Sequence, residues 1–152
     1  MIKVALDTTV LVSLVDAHDK WHLSTLALKN ALKSIQAEVF YLDPVINEAV
    51  SVLARRLAEQ KRMAQFVSVL NRLEELTPSD QITWVSPETR RLYPQIMALV
   101  RRHGGELNFH DALIALACQE FGIEHIASFD GDFDRIAWLK RLASPEDVPL
   151  VT

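Results

Sequence analysis

The chain has 152 residues, 49% of them hydrophobic and 24% charged, which suffices for one hydrophobic core and one domain spanning 1–152. A formal net charge of −4 argues against a general nucleic-acid coat, although a whole-chain sum says little about one patch. No apolar run approaches the roughly 18–20 residues needed to cross a bilayer, "MIKVALDTTV" is too short an apolar start for a signal peptide, and the lone Cys118 can form no internal disulfide, so a cytoplasmic setting is expected.

Along the chain, "IKVAL" (2–6) reads as a strand that stops at Asp7, and "TVLVSLV" (9–15) follows with Thr8 or Thr9 as an N-cap. "WHLSTLALKNALKSI" (21–35) has helical spacing, and "EVFYL" (38–42) reads as a second strand. Asp43-Pro44 predicts an N-cap followed by proline at the first helical position, opening a helix to about Glu59. A further helix is expected from about Arg62 to Leu76, a strand at "ITWV" (82–85), and a helix from Pro87 that Pro94 kinks or delays and Gly104-Gly105 ends. An apolar helix over 109–121 stops at Gly122, the strand "EHIASF" (124–129) follows, and "DVPLV" (147–151) is expected as a last short strand. Strands alternating with helices imply an α/β three-layer sandwich, with a mostly parallel central sheet and helices on both faces.

Acids punctuate this pattern. Asp7 ends the first strand, Asp130 and Asp132 follow the strand after the apolar helix, Asp111 lies in that helix's first turn, and Glu48 borders the apolar face of the helix after strand 38–42. In open parallel sheets, ligands collect at the carboxyl ends of the strands. Two carboxylates about 4 Å apart repel by roughly 4 kcal/mol at an effective dielectric near 20, so a cluster needs protons or a cation. Oxygen-only ligands select a hard ion, Mg²⁺ or Mn²⁺, over zinc. Such an ion suits phosphodiester hydrolysis, since it acidifies water and offsets charge growing on phosphate.

Each acid also has a plainer role. Asn108 and Asp111 have capping-box spacing, and Asp111 favours the helix dipole. Glu48 alone reads as a solvated helix residue, Asp7 as a cap and Asp130 as a turn aspartate. "DGDFD" mimics a calcium loop, but Arg135 and Arg141 stand where glycine and glutamate are needed. His18 and His22 have zinc-ligand spacing without a third ligand, and His110 reads as solvent-facing. The arginine and lysine pairs at 55–56, 61–62, 90–91 and 101–102 read mainly as solvated helix charges, with a phosphate track as the functional alternative. Cys118 reads as core.

Three blocks, "VALDTTVLVSLVD", "INEAVSVLARR" and "FHDALIALACQEFGIEHIASFDGDFDRI", resemble the PIN-domain nucleases in order and spacing across almost the whole chain. In length the sequence is similar to the VapC-type toxins of toxin–antitoxin pairs. The resemblance implies a PIN-like fold and a Mg²⁺-dependent endoribonuclease in which Asp7, Glu48, Asp111 and Asp130 hold one or two ions. It places Asp130 as inner ligand and Asp132 as outer or second ligand, with Thr9 as the supporting hydroxyl. It also implies an RNA substrate and an antitoxin partner. The apolar residues of helices 44–76 add the expectation of a homodimer or partner contact. Two rivals stand beside this reading. A haloacid-dehalogenase-like phosphatase would want an aspartate where Thr9 stands, and a non-catalytic PIN module would bind RNA or a protein without cleaving.

Overall fold

The alternation of side chains along the first strand sets both faces of the sheet. In the computed structural model, which describes residues 1–150, β1 (Lys3–Leu6) points Ala5 into one hydrophobic cluster and Val4 and Leu6 into another. β2 (Glu38–Leu42), β3 (Ile82–Thr83), β4 (His125–Ala127) and β5 (Lys140–Leu142) complete a sheet of order β3-β2-β1-β4-β5. Every pairing is parallel, with Leu6 beside Ala127 and Ala5 beside Phe40. The chain steps outward from β1 to β2 and β3, then crosses back to lay β4 on the other side of β1. That reversal opens a crevice at the carboxyl ends of β1 and β4.

The helices form unequal outer layers. α3 (Asp43–Glu59), α4 (Phe66–Leu76), α5 (Thr89–Arg102) and α6 (Phe109–Glu120) supply most of the larger cluster, where Leu53, Leu57, Ile96 and Ile114 are fully buried. α2 (His22–Ser34) covers the opposite face with Leu28 and Leu32 against Val4, Leu6 and Ala127, while α1 (Thr8–Val15) contributes to both clusters. This three-layer arrangement is the expected one. α6 is the innermost helix, burying seven residues from Asp111 to Cys118. Cys118 is core, as expected, and burial pushes its thiol up to about 12.

Several boundaries differ from the sequence reading for identifiable reasons. Asp7, not Thr8 or Thr9, occupies the N-cap of α1, and its side chain makes no capping bond. Asp43 is the first residue of α3 rather than its N-cap, and its carboxylate accepts from the backbone N–H groups of Val85 and Ser86 just after β3. A 3₁₀ turn (Met63–Gln65) precedes α4, and β3 keeps only two residues of the expected four. α5 begins after a 3₁₀ turn at Ser86–Glu88 and continues through Pro94 without a break. Gly104 and Gly105 follow it at φ 60° and 81°, and Gly122 sits at φ 65° beyond α6, conformations that glycine adopts without a Cβ penalty.

No strand forms at 147–150, and residue 151 lies outside the described segment. Asp147 instead closes a 3₁₀ turn at Pro145–Asp147, capped reciprocally with Ser144, and Pro149 has no N–H for a ladder. The edge position goes to "KRL" (140–142), whose polar pattern of exposed Lys140 and buried Leu142 hides a strand from hydropathy.

Two ion pairs fasten the α3–α4 side to the end of α1. Arg62 grips Asp16 at 2.8 and 3.2 Å, and Arg56 meets Asp19 at 2.6 Å. The Asp16 and Arg62 side chains are only 5% and 14% exposed, so the pair is screened little. Burial alone would raise the Asp16 pKa, but the Arg62 hydrogen bonds hold it below the usual carboxylate range. Arg62→Ala therefore leaves a buried carboxylate unpaired and is expected to cost about 3 kcal/mol of stability. Asp16→Asn in that background should recover part of the loss in urea unfolding. Equal stability of wild type and Arg62→Ala would refute the assignment.

Candidate metal centre

The β1–β4 register puts the residue after each strand side by side. Asp7 N–H donates to the Ala127 carbonyl at 2.9 Å, and the fully buried Ser128 hydroxyl donates to the Asp7 carboxylate at 2.6 Å. The same Ser128 oxygen accepts the Asp130 N–H at 3.0 Å. Thr9 donates to Asp7 at 3.2 Å and accepts from Phe129 N–H at 3.0 Å. Two hydroxyls thus fix one carboxylate and tie it to the turn after β4. Thr9 was singled out in the sequence; Ser128 was not. Its only signal was a small polar residue closing an apolar strand.

α6 brings the next acid. Asn108 accepts the Asp111 N–H at 2.8 Å, so the expected cap forms and aims the first turn of the helix at the crevice. Asp130 in turn accepts the Asp132 N–H at 2.9 Å at the start of a 3₁₀ turn. Carboxylate oxygens of Asp111, Asp130 and Asp132 lie within 4.8 Å of one another. These three line a cavity of about 230 Å³ together with Asp7, Thr9, Glu48, Asn108 and Arg55. All five sequence-selected acids therefore share one cavity, although Asp7 and Glu48 stand outside the tight triad. Asp132 also lies 3.8 Å from Arg135.

His110 departs from its reading as a solvent-facing residue. Its Nε2 meets the Glu48 carboxylate at 2.9 Å, joining the start of α6 to α3 across the cavity rim. That contact holds Glu48 below the usual carboxylate range and raises the histidine in return. His22 and His18 do not approach the acids: His22 Nδ1 faces the Ser13 carbonyl at 2.7 Å, and His18 Nδ1 lies 2.9 Å from Arg62.

Electrostatics mark the cluster as short of positive charge. Burial, then the charges of Asp7 and Glu48, push Asp111 up to about 7. Asp7 is likewise raised, mainly by burial, despite its two hydroxyl donors. The donor set of the tight triad is carboxylate oxygen alone, without thiol or imidazole, which fits a hard divalent ion such as Mg²⁺ or Mn²⁺. Among the described residues, no helix is long and apolar enough to cross a membrane.

The sequence matches the family profile described as PIN domain over residues 4–139. Among solved structures, VapC20 of Mycobacterium tuberculosis, described as a sarcin-ricin loop cleaving toxin, is similar with a TM-score of 0.66 and 23% identity. That match covers 88% of this chain and 95% of the other. VapBC2 of Rickettsia felis, described as bound to a DNA fragment from its promoter, gives 0.64 at 18% identity, covering 93% and 98%. FitAcB of Neisseria gonorrhoeae gives 0.61 at 20%, covering 95% and 99%. At these identities the likeness is one of fold. A sequence search of curated proteins returned no significant match.

The raised acids have a consequence for stability. Asp111 titrates near 3.8 when unfolded and near 7 in the fold, so between those values the folded state binds the extra proton. Stability without divalent ions must then fall as pH rises from about 4 to 7. His110, raised by Glu48, contributes in the same direction. Melting in EDTA should be lower at pH 7.5 than at pH 5, and Asp111→Asn should flatten that slope. A melting temperature that rises across this window, or an unchanged slope in Asp111→Asn, would contradict the arrangement.

Proposed function

From the premise that this chain belongs to the PIN domain family, we propose that it is a divalent-metal-dependent endoribonuclease and the toxin of a toxin–antitoxin pair. The observation that carries the reading is the meeting of five acids at the crevice where the strand order reverses. In this reading Asp7, Glu48, Asp111 and Asp130 hold Mg²⁺ or Mn²⁺, with Asp130 the inner member of its pair and Asp132 the outer. When bound, the ion supplies the positive charge that a phosphodiester's transition state requires.

The chain's own residues do the rest. Ser128 and Thr9 keep the Asp7 carboxylate from rotating, so its free edge stays toward the cavity. Asn108 presents the N-terminus of α6, whose dipole favours the ionised form of Asp111. His110 fixes Glu48 on the facing wall. Arg55 stands on the cavity wall as a cation for the RNA backbone. Asp7→Asn keeps an oxygen acceptor for both hydroxyls but removes one negative charge.

The toxin assignment draws on the fold likeness to VapC20, VapBC2 and FitAcB, and an antitoxin is the partner it calls for. Self-association is the second expected contact. Much of the apolar surface on α3 and α4 is internal, since Val45, Leu53, Val69 and Leu73 are buried, so Met63 and Val67 are the exposed apolar anchors it leaves.

Purified protein should cut RNA with Mg²⁺ or Mn²⁺ and stop in EDTA. Asp7→Asn should lower the rate at least about 100-fold while melting at or above the wild-type temperature in EDTA. Cleavage at wild-type rate by Asp7→Asn, or cleavage undiminished by EDTA, would defeat the reading.

A further inference from the structure

At the start of α6, whose Asn108 and Asp111 line the acidic cavity, the surface carries two aromatic rings that the core does not use. Phe109 opens α6, between Asn108 and the Glu48-bound His110, and two residues before Asp111. It is 39% exposed, and the 52% exposed Tyr93 of α5 stands against it with ring centroids 6.3 Å apart at 44°. The packing of α5 on α6 holds the rings together, through Leu92 and Ile96 on one side and Leu113 and Ile114 on the other, all buried in one cluster. Both rings leave apolar area open to solvent.

The charges nearby match the rings. Arg90 is exposed, lies three residues before Tyr93 on the same side of α5, and has no carboxylate partner among the described residues. Its neighbour Arg91 is held by Glu88 at 2.7 Å and by Glu120 at 2.8 Å. A ring face with an unpaired cation beside it, next to a cluster suited to phosphodiester chemistry, is the combination that binds single-stranded nucleic acid. A protein partner would also accept the rings, but the unpaired Arg90 and the place of Phe109 between the cavity-lining Asn108 and Asp111 favour the nucleic-acid substrate of that site.

We propose that Tyr93 and Phe109 form a stacking platform for an unpaired RNA base next to the scissile phosphate, with Arg90 on the adjoining phosphate. The platform rests on the ribonuclease reading and deepens it. It selects unpaired segments, because a base within a duplex presents no free face to the rings.

The test is binding in EDTA, which is independent of cleavage. A short single-stranded RNA carrying 2-aminopurine is titrated into the full chain, and fluorescence quenching reports stacking. Wild type should quench the probe. Tyr93→Ala and Phe109→Ala should each weaken binding about tenfold and remove most quenching, whereas Tyr93→Phe retains both. Circular dichroism and melting confirm the fold, and placing one variant on each helix guards against a local effect at the start of α6. Trp84→Ala, which removes an exposed ring outside the pair, should bind as wild type. With Mg²⁺, the alanine variants should raise KM on a looped RNA. Quenching without cleavage by wild type would keep the platform and overturn the nuclease reading. Cleavage with unchanged KM and quenching in both alanine variants would overturn the platform alone, as would an equal loss in Trp84→Ala. Antitoxin binding weakened by the alanine variants while RNA binding is intact would assign the rings to the protein partner and overturn the proposal.

Discussion

Like charge crowded at the carboxyl end of a parallel sheet is the constraint under which the rest of this molecule is built. Each strand ends beside the next, so polar residues that follow β1 and β4 must meet. Repulsion between carboxylates at these distances amounts to several kcal/mol in a medium less polar than water. The fold supplies partial compensation from neutral or distant groups: hydroxyls of Ser128 and Thr9 on Asp7, the N-terminus of α6 on Asp111, and His110 on Glu48. None of these neutralises the tight triad itself. The residual imbalance lodges in Asp111, which is pushed up to about 7.

A cluster held this way needs stiff supports, since each acid would otherwise move apart. The supports are apolar and lie behind the acids. α6 is buried through its middle, from Asp111 to Cys118, so Asp111 cannot retreat without disrupting Ala112, Leu113 and Ile114. α3 carries Glu48 next to Ala49 and Leu53 in the same core, and Arg56 and Arg62 pin its far end to the segment after α1. Packing thus offsets electrostatic strain at the site, an arrangement expected where function rather than stability sets the residues.

Much of this was legible in the sequence, and the limits are physical. Helical spacing located α2 and a long apolar run located α6, because apolar patterning records burial, while proline and glycine signals located α3 and α5. The acids were legible because strands and helix starts fix where a residue stands along the sheet axis. Partnerships across sequence were not. Ser128 reaches Asp7 over 121 positions, and nothing local announces it. His110 looked solvent-facing because its partner Glu48 belongs to another helix. Asp43 looked like a cap, yet its carboxylate accepts from backbone N–H groups just after β3. β5 escaped notice because an edge strand with one buried side chain carries almost no hydropathic pattern.

The net charge of −4 leaves a question that pairing resolves. An acidic protein approaches a polyanion only if its cations are not all consumed internally. Arg56, Arg62, Arg91, Arg135 and Arg141 are each committed to a carboxylate. Arg55, Arg72, Arg90, Arg101 and Arg102 make no such ion pair among the described residues, and of these Arg55 lines the acidic cavity while Arg90 lies beside the rings. Internal ion pairs therefore do more than brace the fold. They engage five arginines and leave others free, of which Arg55 stands on the cavity wall where a phosphate backbone would have to pass, so a modest local patch suffices despite the overall sign.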